Sequence, residues 1–86
     1  MPTDFPYILT SYARKRIMQR LISPDWIVRV LENPDHEEPD AEDPELFKAR
    51  GYIPESGDRV LCVVYNVTTE PWRIVTAYFD RAPWDR

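Results

Sequence analysis

Arg59-Val60-Leu61-Cys62-Val63-Val64-Tyr65-Asn66-Val67 is the stretch on which the fold turns. Its β-branched and aromatic side chains suit a pleated backbone. Alternation puts Leu61, Val63, Tyr65 and Val67 on one face and Val60, Cys62, Val64 and Asn66 on the other. Neither face is polar, so this strand belongs inside a sheet. Thr68-Thr69-Glu70-Pro71 turns the chain, and Trp72 to Phe79 returns as a second strand that is again apolar on both sides. On the N-terminal side, Gly57-Asp58 suits a turn and Leu46 to Ile53 a third strand. The expectation is a three-stranded antiparallel meander.

Further toward the N-terminus the period changes to that of helices. Ala13, Ile17 and Leu21 fall four apart on one face, with Thr10 or Ser11 available as a cap. Ser23-Pro24-Asp25 then supplies a capping hydroxyl, a proline at the first helical position and an acid at the positive end of the helix dipole. Ile27, Val30 and Leu31 mark the buried side of this second helix, which Asn33-Pro34 stops. The two helices are expected to form a hairpin over residues 10–33, joined by an acidic connection over 34–45 to strands over 46–80. Residues 5–9 suit a short opening strand that Pro6 would confine to an edge. Two short helices cover one sheet face, so the other should hold an apolar patch that needs the opening segment, the tail or another molecule over it. That patch makes a homodimer or a protein partner an expectation.

The chain has 86 residues, enough for one domain. A single cysteine excludes an internal disulfide or a cysteine zinc cluster, and Cys62 reads as a small buried hydrophobe. The start Met1-Pro2-Thr3-Asp4 lacks the basic and apolar regions of a signal peptide, and the longest apolar run is far short of the ~20 residues that span a bilayer. A cytoplasmic protein without membrane contact is expected. Two glycines, Gly51 and Gly57, cannot build a phosphate-cradling loop, and His36 has no second histidine beside it. No cofactor or metal is expected.

The net charge of −4 conceals a strong asymmetry. Glu32, Asp35, Glu37, Glu38, Asp40, Glu42, Asp43 and Glu45 lie in one stretch without Lys or Arg, so the remainder of the chain is net +4. Arg14, Lys15, Arg16, Arg20 and Arg29 gather in the helical half, where such a face suits phosphate contacts. A plain solvated helix face is the alternative, as is an acidic segment folded back over these arginines. Arg50, Arg59, Arg73 and Arg81 lie on or beside the strands, interleaved with Tyr52, Tyr65 and Tyr78. Arginine can stabilise a phosphorane and tyrosine can position a 2′-hydroxyl, although ordinary surface packing also places these residue types together. Arg59 and Arg73 are expected to face the same side of neighbouring strands.

Thr10, Ala13, Arg16, Arg20, Ile22, Ser23, Leu31 and Pro34, with Ile74-Val75-Thr76-Ala77-Tyr78 in the last strand, resemble a small bacterial domain family of unknown function. Its members begin T-x-H-A-x-x-R-x-x-x-R-x-I-S and end near V-V-T-x-Y/F. The layout is also similar to the RelE/ParE toxin superfamily, some of whose members cut RNA without a metal. The resemblance implies an α+β fold with the N-terminal helical hairpin packed on a three- to four-stranded antiparallel sheet. It implies a toxin-like domain, with RNA and an antitoxin-like protein as partners. Tyr12 occupies the family's histidine position, and tyrosine is a poor base near neutrality. A metal-independent endoribonuclease would then use Tyr12, Arg16, Arg59, Arg73, Tyr78 and Arg81, with Arg14, Lys15, Arg20 and Arg50 on the nucleic acid. The alternative is a non-enzymatic interaction module that uses the apolar sheet face.

Overall fold

The computed structural model describes residues 6–80. The elements run β1 (Ile8–Leu9), α1 (Ser11–Gln19), α2 (Pro24–Glu32), β2 (His36–Pro39), β3 (Leu46–Ile53), β4 (Arg59–Asn66) and β5 (Arg73–Asp80), with a 3-10 turn at Pro54–Ser56. The expected strands over 46–80 form, and β4 is central with partners on both sides. Gly57 and Asp58, both at positive φ, make the turn between β3 and β4.

The sheet nevertheless differs from the expected three- or four-stranded antiparallel one. It has five strands in the order β1-β5-β4-β3-β2, and β1 runs parallel to β5, so the sheet is mixed. The added strand is β2, inside the acidic segment expected to be a connection. His36 and Glu38 point to one face and Glu37 and Pro39 to the other, and β2 pairs antiparallel with β3 through His36 opposite Arg50 and Glu38 opposite Lys48. Carboxylates set against cations across neighbouring strands offset the poor strand propensity of Glu and Pro.

The helical hairpin is also corrected. Each helix packs chiefly on the sheet rather than on the other helix: α1 along β5, and α2 across β3 and β4. Thr10 caps α1, its Oγ1 accepting from the Ala13 amide at 3.0 Å, and Ser23 caps α2. Leu21 does not continue the buried face of α1. The helix ends at Gln19, and Leu21 turns left-handed at φ 56, 83% exposed. The Ile22 amide then donates to the Ile17 carbonyl and the Leu21 amide to Met18, a helix stop that buries Ile22 in its place. Gly51 lets α2 lie close, because a Cβ there would come within 3.1 Å of Val30 Cγ2.

Ala13, Ile17, Ile22, Ile27, Val30 and Leu31 from the helical half meet Ala49, Ile53, Leu61, Val63, Tyr65, Ile74 and Ala77 from the sheet. The apolar residues expected on the helix-free face are present and covered rather than exposed. Val60, Cys62 and Val64 are buried there, and Ile8 is the sheet's single well-exposed large hydrophobe among the described residues. Polar side chains share this face: Arg50 is 6% exposed and bonds Glu38 and Asp80, while Tyr78 lies opposite Cys62 across the strand pair. No helix among the described residues is long and apolar enough to cross a membrane.

Candidate functional site

The register separates the ten residues singled out from the sequence. Arg59 opens β4 and Arg73 opens β5, and because these strands are antiparallel, Arg73 lies opposite Asn66 and Asp80 opposite Val60. Arg59 and Arg73 therefore stand at opposite ends of the pair, roughly 20 Å apart at the rise of an extended chain. They are not neighbours, contrary to expectation. Arg81 lies outside the described residues. Arg50 is buried on the helix-free face, with Nη1 3.0 Å from Glu38 and Nε 3.4 Å from Asp80. An arginine so enclosed by carboxylates is withdrawn from any phosphate. The Arg50 contact in turn holds the Glu38 carboxyl below its ordinary range.

Other residues do converge. Arg20, Arg59, Tyr78 and Phe79 line an open cavity of about 510 Å³ at the end of β5. Arg20 donates to the Ala77 carbonyl at 2.8 Å, covering the edge of β5 beyond its short pairing with β1. The Arg59 guanidinium lies 3.8 Å from the centre of the Phe79 ring and donates to Ser56 Oγ. Both guanidinium groups are positioned by neutral partners, so their charge stays available. Burial, with the Cys62 contact, pushes the Tyr78 phenol well above its ordinary range. Tyr78 can donate a hydrogen bond there but cannot serve as a base near neutrality.

The third grouping is on α1. Tyr12 is 53% exposed, with the Arg16 guanidinium 4.9 Å from its ring centre, and Arg14 and Lys15 are exposed. Among the described residues, no carboxylate forms an ion pair with Arg14, Lys15, Arg16, Arg20, Arg59 or Arg73. Arg29, Lys48 and Arg50, by contrast, are paired with Glu55, Asp40, Glu38 and Asp80. The acidic segment does not fold over α1, since β2 is the opposite edge of the sheet from the strands α1 covers.

A second concavity, unforeseen from the sequence, lies on the helix-bearing face. Glu37, Glu38, Pro39, Phe47, Tyr65, Val67 and Trp72 line an open groove of about 480 Å³. The Tyr65 hydroxyl donates to Glu37 Oε2 at 2.9 Å, and Tyr65 and Trp72 stack with ring centres 5.1 Å apart. Phe47 is distant in sequence from Tyr65 and Trp72, and the pairing of β3 with β4 and β4 with β5 brings the three together. The alternation across residues 36–39 was the one local signal that could have revealed the groove's wall.

A small α+β domain with one basic helix, an acidic sheet edge and open concavities at both ends of the sheet is the class of protein these features define. Within that class, the chain belongs to the family described as "Domain of unknown function (DUF4258)", whose model matches residues 9–79. No curated protein and no solved structure matched the chain.

Proposed function

We propose that this domain binds RNA through α1 and the adjoining end of β5, and that it binds without cutting. The observation that carries this reading is the segregation of charge. Arg14, Lys15, Arg16, Arg20 and Arg59 lack carboxylate partners among the described residues, whereas Glu37 and Glu38 lie in the far edge strand and Asp40, Glu42, Asp43 and Glu45 follow it. Unneutralised cations on one surface attract a polyanion by releasing its counterions. The half-exposed Tyr12 ring beside Arg16 offers a stacking surface for an unpaired base, as single strands require. Binding rather than cleavage follows from the groups at the cavity. Tyr78 stays protonated and two guanidinium groups donate only, so none of these accepts a proton from a 2′-hydroxyl.

The test is fluorescence anisotropy with labelled single-stranded RNA over a range of salt, with EDTA present. Wild type should bind at low salt. Arg14→Ala/Lys15→Ala should weaken binding and reduce the salt slope by about 1.4, the value for two lost phosphate contacts on a single strand. Failure of wild type to bind, or an unchanged slope in the double variant, would sink this reading. Cleavage that Arg59→Ala abolishes would replace it with a ribonuclease.

A further inference from the structure

Among the described residues, the two helices cover only part of the helix-bearing face of the sheet. Val30 of α2 sits over Gly51, Trp26 meets Phe79 edge-on, and α1 runs along β5 from Thr10 near Ile74 to Arg20 at Ala77. At the other end Phe47, Tyr65 and Trp72 form the floor of the open groove, and Glu37 to Pro39 of β2 form its wall. The rings lock one another: Trp72 stacks on Tyr65 and also on Tyr7, at 6.2 Å, and Phe47 lies 6.2 Å from Tyr65. Tyr65 is 2% exposed, and burial together with its bond to Glu37 keeps the phenol protonated far above neutrality. That permanent donor holds Glu37 in place through Oε2 and leaves Oε1 without a partner among the described residues. The groove thus combines the partly exposed Phe47 and Trp72 rings with a positioned carboxylate, on the edge of the molecule where the acids concentrate.

These are the features that recognise a flat cation, which stacks on a ring and donates to a carboxylate at the same time. We propose that the groove binds an arginine side chain presented by a basic segment of a partner protein. Charge complementarity selects the occupant. The wall carries Glu37 and Glu38, and Glu38 is already engaged by Arg50, so Glu37 is the carboxylate an incoming guanidinium meets. Lysine fits less well, because its compact, strongly hydrated ammonium does not stack as a plane. The site is separate from the α1 surface and opposite to it in charge, so it stands whether or not RNA binds there.

The experiment is fluorescence anisotropy at physiological salt with three short labelled peptides that alternate glycine with arginine, lysine or norleucine. Wild type should bind the arginine peptide, bind the lysine peptide several-fold more weakly, and leave the norleucine peptide free. Glu37→Gln keeps the acceptor for Tyr65 while removing the charge, and should weaken arginine-peptide binding about tenfold, the scale of a hydrogen bond to a charged group. Trp72→Leu keeps the floor apolar and should erase the preference for arginine over lysine. Glu42→Gln/Glu45→Gln, in the same acidic stretch but outside the groove, should change nothing. Equal binding of the arginine and lysine peptides by wild type, equal loss in the Glu42/Glu45 variant, or no binding at all would each overturn the proposal. A wild-type dimer that Glu37→Gln turns into monomer would also overturn it, in favour of a second copy as occupant.

Discussion

Arg50 shows how a single residue changes meaning between sequence and structure. As text it is one more strand cation suited to phosphate; in the fold it is buried, tying Glu38 of β2 to Asp80 of β5 across β3 and β4. Replacing it with Met keeps much of the volume but removes the cation that Glu38 and Asp80 share. Arg50→Met should cost about 1–3 kcal/mol in urea unfolding near neutral pH. The figure lies at the low end for a buried pair because the Glu38 side chain is 42% exposed and solvent recovers part of the loss. The pH dependence gives the sign. Glu38 titrates below its ordinary value chiefly because of Arg50, so its contribution is present above the unfolded-state value of 4.5 and fades as pH falls. The gap between wild type and Arg50→Met should therefore narrow as pH falls below 4.5. A gap that does not change with pH would mean packing, not charge, is what Arg50 supplies.

At the scale of elements, both helix starts were legible because capping is local chemistry. Thr10 and Ser23 each reach an amide two or three residues away, and no distant contact is needed for that. The end of α1 was misread for the opposite reason. Four-residue spacing carried the apolar face on to Leu21, but burying Ile22 on the sheet requires the chain to reverse one residue earlier. The reversal places leucine in a left-handed conformation that favours glycine. With its side chain 83% exposed, Leu21 contributes little packing to offset that strain. Leu21→Gly should therefore stabilise the protein by about 0.5–1 kcal/mol, read as a rise in the thermal midpoint. A fall would show that the leucine side chain makes a contact worth more than the strain.

Over the whole molecule, charge is sorted by the sheet. The basic helix lies over β5, and β2, with the acids that flank it, lies three strand spacings away, roughly 14 Å. That separation exceeds the screening length of about 8 Å at physiological ionic strength. Neutralising the exposed acids of the β2–β3 turn, as Glu42→Gln/Asp43→Asn/Glu45→Gln, should thus raise RNA affinity at low salt and leave it unchanged at physiological salt. A large gain at physiological salt would mean the acidic segment reaches the basic helix, which the strand order does not allow.

The strands over 46–80 and both helix starts were determined by the sequence alone, as was the lopsided charge, because each rests on residues near one another in the chain. Which strands become neighbours, and which charges neutralise one another, only the tertiary structure decided. The sequence of β2 is too acidic to signal a strand by itself; Lys48 and Arg50 across the pair make it one. Likewise Phe47, Tyr65 and Trp72 carry no shared motif and become one surface only through register, while Arg59 and Arg73 are carried apart by the antiparallel sense of their strands. The physical reason is common to all of these: alternation and capping act over a few residues, but pairing partners are chosen by the burial of the whole core.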